Sequence, residues 1–596
     1  MRKRIGWLLL AGMLVFTGCS SNSEKTVKDT TQNVNSEMFT DRDMEVGYDE
    51  ATSIKIQLDD NNITSSSDSV SISGNTVTIK EEGTYILNGS LSDGMVMVDA
   101  SDTAKIQIVL NGVDITSKTS TALYVKEADK VFVTTAKDSK NSLRNGGTYI
   151  AIDDNNIDAV IFSKSDLTLN GTGSLTIDAD AGHGIVSKDD LVLTSGTYEI
   201  NAASHGLSGK DSVRIANGTY TITSVKDGIH AENADDESLG FVYIADGKFT
   251  ITADGDGISA ENYVLMEDGE YTIEAGGGSE NSTIQHVDSF GPGAWETTEA
   301  SSDTTSMKAI KATSDVTINN GTYTIDAADD GIRSNQNVTI AGGIYQIKTA
   351  DDGMHADETL TISDGNIDIT ESYEGLEGLN IKVSGGTITL VSSDDGINAA
   401  GGNDNSGFRG FQSETSSVSS GSISITGGTL KLVIEGDGID SNGDITICGG
   451  EIYVNGPANG GNASLDYDGE AKITGGIFVA AGPSEMALNF STSSTQGAML
   501  ATVSNQTAGT AITLKDASVN TLISWEAESD FSSVLISLPE LEEGSTYTLE
   551  TGSSSTEITM TSLIYGSGGM QTPGNMQSPG GMEPGNHQGM GGNRMP

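Results

Sequence analysis

TYTIDAADDGIRSNQNVTIAGGIYQIKTADDGMHADETLTISDG, from Thr322 to Gly365, carries one pattern twice. An acidic pair leads into a glycine and an apolar residue at Asp329-Asp330-Gly331-Ile332, and Asp351-Asp352-Gly353-Met354 repeats it 22 residues later. Followed outward, that glycine recurs at Gly184, Gly206, Gly228, Gly257, Gly331, Gly353, Gly375, Gly396 and Gly438. Several steps are 21 or 22 residues, and the longer ones carry polar insertions at 276–305 and 400–420. One further repeat lies at MKAIKA, where Ala309 stands at the glycine position. A second marker keeps the same register: SGTYEI at Gly196, NGTYTI at Gly218 and Gly321, DGKFTI at Gly247, DGEYTI at Gly269, then GGIYQI at Gly343 and on to GGEIYV at Gly450.

Within each unit, short runs rich in Thr, Ile, Val and Tyr alternate apolar with polar residues, and glycine-bearing turns separate them, which is the strand signal of period two. Three short strands in about 22 residues cannot bury their apolar faces alone, so the units must stack. The predicted fold is all-β: a right-handed parallel β-helix of three-strand coils, each side chain above its counterpart, the hand following the rule for parallel crossovers. The scaffold of a leucine-rich repeat is absent, and a propeller blade needs about twice this period. Glycine at 74 of 596 residues suits a turn-rich chain without collagen's triplet.

The expected organisation is a signal segment over 1–18, a flexible tether over 19–49, the β-helix over 50–496, a small β cap over 497–565 and a disordered Gly/Pro/Met tail over 566–596. Arg2, Lys3 and Arg4 precede a short apolar run ending in Gly18-Cys19, the build of a secretory signal with a lipobox. Cys19 is then the lipidated residue that anchors the chain to the outer face of a membrane. Cys448 is the other cysteine and is read as an inward stack residue, so no intramolecular disulfide is expected.

Charge narrows the function. The chain carries 31 basic and 84 acidic residues, and removing the signal's three basic residues leaves 28 against 84, a net of −56. Binding to nucleic acid through its phosphates is excluded on this ground. Indexed on the glycine, the preceding position reads His183, His205, Asp227, Asp256, Lys308, Asp330, Asp352, Glu374, Asp395, Asp437, and the second following position includes Arg333, His355, Glu377, Asn398 and Asp440. Carboxylates stacked about 5 Å apart repel by roughly 3 kcal/mol at an effective dielectric near 20. A solvated edge tolerates that repulsion; bound Ca²⁺ relieves it, since it takes hard oxygen ligands of this kind. The candidate metal ligands are Asp329, Asp330, Asp351, Asp352, Glu374, Glu377, Asp394, Asp395, Asn398, Asp437 and Asp440. Candidate carbohydrate contacts are Phe290, Trp295, Phe408 and Phe411 in the two insertions, together with Arg333.

The stretches GTYILNGSLSDGMVMVDA, SDLTLNGTGSLTI, GIVSKDDLVLTSGTYEINAASHGLSGKDSV, DDGMHADETLTISDGNIDITESYEGLEG and SDDGINAAGG resemble the bacterial carbohydrate-binding β-helix domain family over roughly residues 50–495. The resemblance implies a pectate-lyase-like right-handed β-helix, bound calcium, and non-catalytic recognition of cellulose or acidic sugars. Two other readings stand beside it: a calcium-dependent polysaccharide lyase, which needs a basic group to abstract a proton, and a structural adhesin or spacer. A polygalacturonase-like hydrolase is disfavoured. GHG occurs at 182–184 and an aspartate pair at 329–330, but their order is reversed and no RIK follows.

Overall fold

The computed structural model describes residues 38–284, 306–399, 421–457 and 460–566. Alternation along each strand is the starting point. In Thr322–Ala327 the side chains of Tyr323, Ile325 and Ala327 are buried while Thr322 and Thr324 face out. That strand pairs in parallel with Ile344–Thr349 one repeat on, setting Tyr323 beside Tyr345 and Ile325 beside Ile347. The glycine-led strands behave alike: Ile258, Ile310, Ile332, Met354, Leu376, Ile397 and Ile439 pair in succession. All seven are 0% exposed. The pairing of Ile258 with Ile310 spans the insertion, so the repeat at Ala309 belongs to the series. The protein is nearly all β; among the described residues, 47 strands join one sheet, and one apolar cluster runs from Ile56 to Leu535.

The tyrosine marker forms a second inner column. Tyr198, Tyr220, Phe249, Tyr271, Tyr323 and Tyr345 stack with ring centroids 4.7 to 5.2 Å apart and planes within 8°. A buried phenol needs an acceptor, and each tyrosine finds one three residues back: Tyr323 Oη donates to Asn320 O at 2.8 Å and Tyr345 to Gly342 O at 2.8 Å. Gly321 lets the ring fold back in this way. Its φ is +123°, and a Cβ there would lie 2.7 Å from Tyr323 Oη. The glycine before tyrosine in NGTY is therefore required twice, by backbone and by space.

Beyond Ile477–Gly482 the parallel series ends. That strand pairs antiparallel with Phe531–Ser537, which also takes Ala498–Gln506, and a separate four-stranded antiparallel sheet packs through Ile512, Leu514, Tyr547 and Leu549. Cys448 departs from expectation. Ile445 and Ile447 point inward, so the next residue turns outward, and Cys448 is half-buried. Among the described residues no helix is long and apolar enough to cross a membrane.

The expected tether also needs correction at its end. Residues 38–48 are packed along one outer face of the stack. Phe39 packs with Tyr243 and Phe241, Tyr48 with Val109 and Ala136, and Thr40 caps the single turn Asp41–Met44. Asp43 is 2% exposed; its Oδ1 meets Lys130 Nζ at 2.8 Å and accepts from Thr168 Oγ1 at 2.6 Å. Thr194 and Asn170 donate to its carbonyl. The composition of 38–49 resembles a linker; what orders it is a set of partners on repeats far along the chain.

Two tests follow. Tyr323→Ala removes a ring from the middle of the stack and is expected to cost about 3–5 kcal/mol, whereas Tyr323→Phe loses one hydrogen bond, about 1 kcal/mol. Equal melting of all three proteins would contradict the column's role. Burial opposes the charge on Asp43, but Lys130, Thr168 and Thr40 outweigh it and lower the carboxyl to about 2. A carboxyl depressed in the folded state stabilises above its unfolded value near 3.9, and that contribution, about 2.6 kcal/mol, is lost as pH falls from 3.9 through 2. Amide exchange across 38–48 should therefore accelerate over that window, and Asp43→Asn should exchange fast at neutral pH.

Candidate functional site

The acidic turns begin with a backbone problem. Where each repeat turns into its glycine-led strand, the residue before the glycine presents an N–H that needs an acceptor, since a buried polar group left unpaired costs about 1–3 kcal/mol. The acceptor is the side chain at the same position one repeat earlier. His205 N–H donates to His183 Nδ1 at 3.3 Å, Asp227 to His205 Nδ1 at 3.2 Å, Asp256 to Asp227 Oδ1 at 3.0 Å and Lys308 to Asp256 Oδ1 at 2.8 Å. Asp352 donates to Asp330 Oδ1 at 3.1 Å, Asp437 to Asp395 Oδ1 at 2.6 Å and Ala463 to Asp437 Oδ1 at 2.5 Å. Lys308 has no acceptor to offer, and there Asp330 N–H turns to Asp329 Oδ1 at 3.0 Å. Asp329, the first member of that acidic pair, thus has a structural duty.

This places His183 and His205 as links of the ladder. Their rings stack 5.1 Å apart, and His205 stacks on His230 at 4.5 Å, with planes within 12°. Lone pairs of parallel rings run side by side, so although His205, Asp227 and His230 lie close together, the imidazoles do not converge on one ion.

Charge divides the ladder. In its lower part Asp256, Asp329 and Asp330 each meet a cation. Lys311 Nζ lies 3.5 Å from Asp256, Lys308 Nζ lies 2.5 Å from Asp329 and 3.0 Å from Asp330, and Arg333 reaches Asp330 at 3.4 Å and Asp357 at 2.9 Å. Burial would raise the Asp330 carboxyl, but Lys308, His355 and Arg333 bring it down to about 2. From Glu374 upward the two ladder positions hold Glu374, Asp395 and Asp437 on one side and Glu377, Asn398 and Asp440 on the other, with no basic residue among them. Burial together with Glu374, Asp394, Asp437 and Asp440 pushes the Asp395 carboxyl well up. Burial, and repulsion from Asp440, Asp466 and Asp394 against the Ala463 hydrogen bond, brings Asp437 up to about 7.

The junction is the tightest point. Asp352, Glu374 and Glu377 are 2 to 3% exposed, with ligand oxygens within 4.8 Å of one another. His355 Nδ1 lies 2.8 Å from Asp352 Oδ2, 2.7 Å from Glu377 Oε2 and 2.8 Å from Arg333 Nη1; burial opposes its charge, but Asp352, Asp357 and Glu377 hold the imidazole well above its ordinary value. Asn398 turns its Nδ2 to both Glu374 oxygens at 2.9 Å. That leaves Asn398 Oδ1 and Glu377 Oε1 buried without a hydrogen-bond partner. A second group, Asp395, Asp437 and Asp440, draws its oxygens together two repeats higher.

The structure therefore gathers the predicted ligands into groups, with Asp329, Asp330 and Asp351 as a third, while Asp394 flanks Asp395 on the same turn. It does not present a solvated acidic edge, because Asp330, Asp352 and Glu374 are buried. Arg333, expected to meet carbohydrate, is held by Asp330 and Asp357 with its side chain 13% exposed. Asp357 was not foreseen; only its spacing of two residues from His355 marks it. Cys19, Phe290, Trp295, Phe408 and Phe411 lie outside the described residues.

A carbohydrate-binding domain-containing protein of Acetivibrio thermocellus is 34% identical to this chain over 151 residues, 25% of this chain and 53% of the relative, so the chain spans about half the length of the curated relative it matches. A solved structure of the polysaccharide lyase-like protein from C. thermocellum, a gadolinium derivative, is 33% identical, covers 38% of this chain and 92% of its own, and superposes with a TM-score of 0.37. The family profile for carbohydrate-binding domain-containing proteins matches residues 73–353 and again 352–533. These two segments take in most of the repeat series, and the chain belongs to the carbohydrate-binding domain-containing protein family.

Proposed function

We propose that this protein binds polysaccharide at a bacterial cell surface without cleaving it. Its ligands are acidic glycans such as polygalacturonate, with cellulose as the neutral alternative. The stack is a right-handed parallel β-helix, calcium stiffens its acidic turns, and a lipid on Cys19 holds it to the membrane.

Family membership supports the carbohydrate. The observation that carries the calcium is the pair of buried acceptors without donors, Glu377 Oε1 and Asn398 Oδ1, beside Asp352 and Glu374. Three carboxylates and an amide carbonyl drawn together suit a hard cation that takes six to eight oxygens, which would share Asp352 and Glu377 with His355. Asp395, Asp437 and Asp440, with Asp394 beside them, make up the second set. When bound, the ion supplies positive charge that a uronate carboxylate can share on a chain of net −53. Repeated positions along the stack then add avidity for a polymer.

Binding is favoured over cleavage by the state of the basic residues. Abstraction of a proton next to a uronate carboxylate needs an accessible base. Arg333 is engaged by Asp330 and Asp357, and Lys308, despite its burial, is kept protonated by Asp330 and Asp329. Neither is free to accept a proton.

Calcium should raise the melting temperature of the purified chain relative to chelator. A ligand that binds only the folded state adds about 2.7 kcal/mol at a hundred times its dissociation constant; coincident melts would remove calcium from the reading. Retention on immobilised polygalacturonate should drop at least tenfold in chelator, and equally in Asp352→Asn/Asp395→Asn with the fold intact. Steady release of unsaturated uronate would make the protein a lyase, and no affinity for any glycan would leave it a spacer.

A further inference from the structure

The turn ladder is linked by two kinds of acceptor, and they answer acid differently. A carboxyl that takes up a proton keeps an oxygen able to accept, whereas an imidazole that takes up a proton becomes a donor at both nitrogens. We propose that the imidazole links at His183 and His205 form an acid-operated joint, which loosens the turns at His205 and Asp227 in acid while the carboxyl-linked turns that follow stay closed. The proposal stands apart from the calcium and carbohydrate readings.

The hydrogen bonds fix where the proton must go. His183 Nδ1 accepts the His205 N–H at 3.3 Å, and His205 Nδ1 accepts the Asp227 N–H at 3.2 Å. A neutral imidazole carries one ring N–H, so in both residues it sits on Nε2. In His183 that nitrogen faces Asp158 Oδ2 at 3.8 Å. The site left for a second proton is Nδ1, the acceptor itself. Protonation sets hydrogen against hydrogen and breaks the link. In His205 the new Nδ1–H can turn to Asp227 Oδ2, 3.4 Å away, but the Asp227 N–H still loses its acceptor.

The groups around the rings keep His183 neutral. Its side chain is 19% exposed, and burial, then the charges of His205, Lys188 and Lys226, push the imidazole down to about 3 against the pull of Glu232. His205 stacks between His183 and His230 and shares Asp227 with His230, whose Nδ1 lies 3.0 Å from the same Oδ2. A histidine depressed in the closed turn takes up a proton more readily once the turn opens. The closed turn is therefore favoured above the ordinary value of 6.5 and loses that advantage as pH falls from 6.5 toward 3. Opening becomes about tenfold more frequent for each pH unit in that window. One link further on, the Asp256 N–H donates to Asp227 Oδ1 at 3.0 Å. Burial opposes the charge on Asp227, but His205 and His230 hold its carboxyl well down, so this link keeps its acceptor.

Amide exchange on the full chain, read as protection relative to the free-peptide rate at each pH, tests the joint. From about pH 6.5 to 4, protection of the His205 amide should fall about tenfold per unit. The Asp227 amide should lose protection with it, and the Asp256 amide should not. His183→Asn, whose side-chain oxygen accepts without titrating, should keep the His205 amide protected throughout, and His205→Asn should do the same for Asp227. Wild-type protection that ignores pH, or a fall that persists in His183→Asn, would overturn the proposal. An equal fall at Asp256 would overturn it too, since the opening would then not be confined to the imidazole links. If one variant fails to fold, the other decides together with the wild-type profile.

Discussion

In seven repeats of this protein the backbone N–H at the sharpest turn finds its acceptor in a side chain one repeat earlier. Strand ladders satisfy most of the remaining backbone, amide meeting carbonyl one repeat away. The turn amide falls outside them and depends on a short acceptor side chain held in register. Imidazole nitrogen serves at His183 and His205, and carboxylate oxygen at Asp227, Asp256, Asp330, Asp395 and Asp437. A repeat of the wrong length would pull that acceptor away from the amide above it. Repeats on either side of an insertion accordingly still pair in register, as Ile258 with Ile310 shows.

From this constraint the charge follows. A neutral histidine meets the backbone's need as well as an aspartate does, so the acidity of the later turns asks for more than ladder geometry. Burying one carboxylate over another is unfavourable unless positive charge is near. The molecule answers in two ways. Around Asp330 the positive charge is covalent, from Lys308 and Arg333, and the carboxyl is driven down. Around Asp395 and Asp437 the ladder positions hold no basic side chain, and both carboxyls are driven up. The same fold element therefore has opposite electrostatics three repeats apart.

The outside of the stack is finished by segments that do not repeat. The antiparallel pair formed by Ile477–Gly482 and Phe531–Ser537 ends the parallel series at one end, where an open strand edge would otherwise recruit another chain. Along the side, residues 38–48 lie across strands of several repeats, so that a single buried aspartate, Asp43, ties the start of the described chain to Lys130, Thr168 and Thr194.

By itself the sequence determined the period, the strand alternation, the two glycine markers, the repeat concealed at Ala309 and the candidate ligands. All of these are local properties read at a fixed step, and a stack in which residue meets counterpart preserves them in three dimensions. Tertiary structure alone decided what depends on contacts between unlike positions. It showed that Asp330, Asp352, Glu374 and Glu377 are buried rather than solvated, that Asp329 repairs a ladder link broken by Lys308, that Arg333 is held by Asp330, Asp357 and His355, and that 38–48 is packed on the stack. Burial and pairing of a charge depend on which groups the fold brings within a few ångströms, and residues as distant in sequence as Asp43 and Thr194 carry no local mark of meeting.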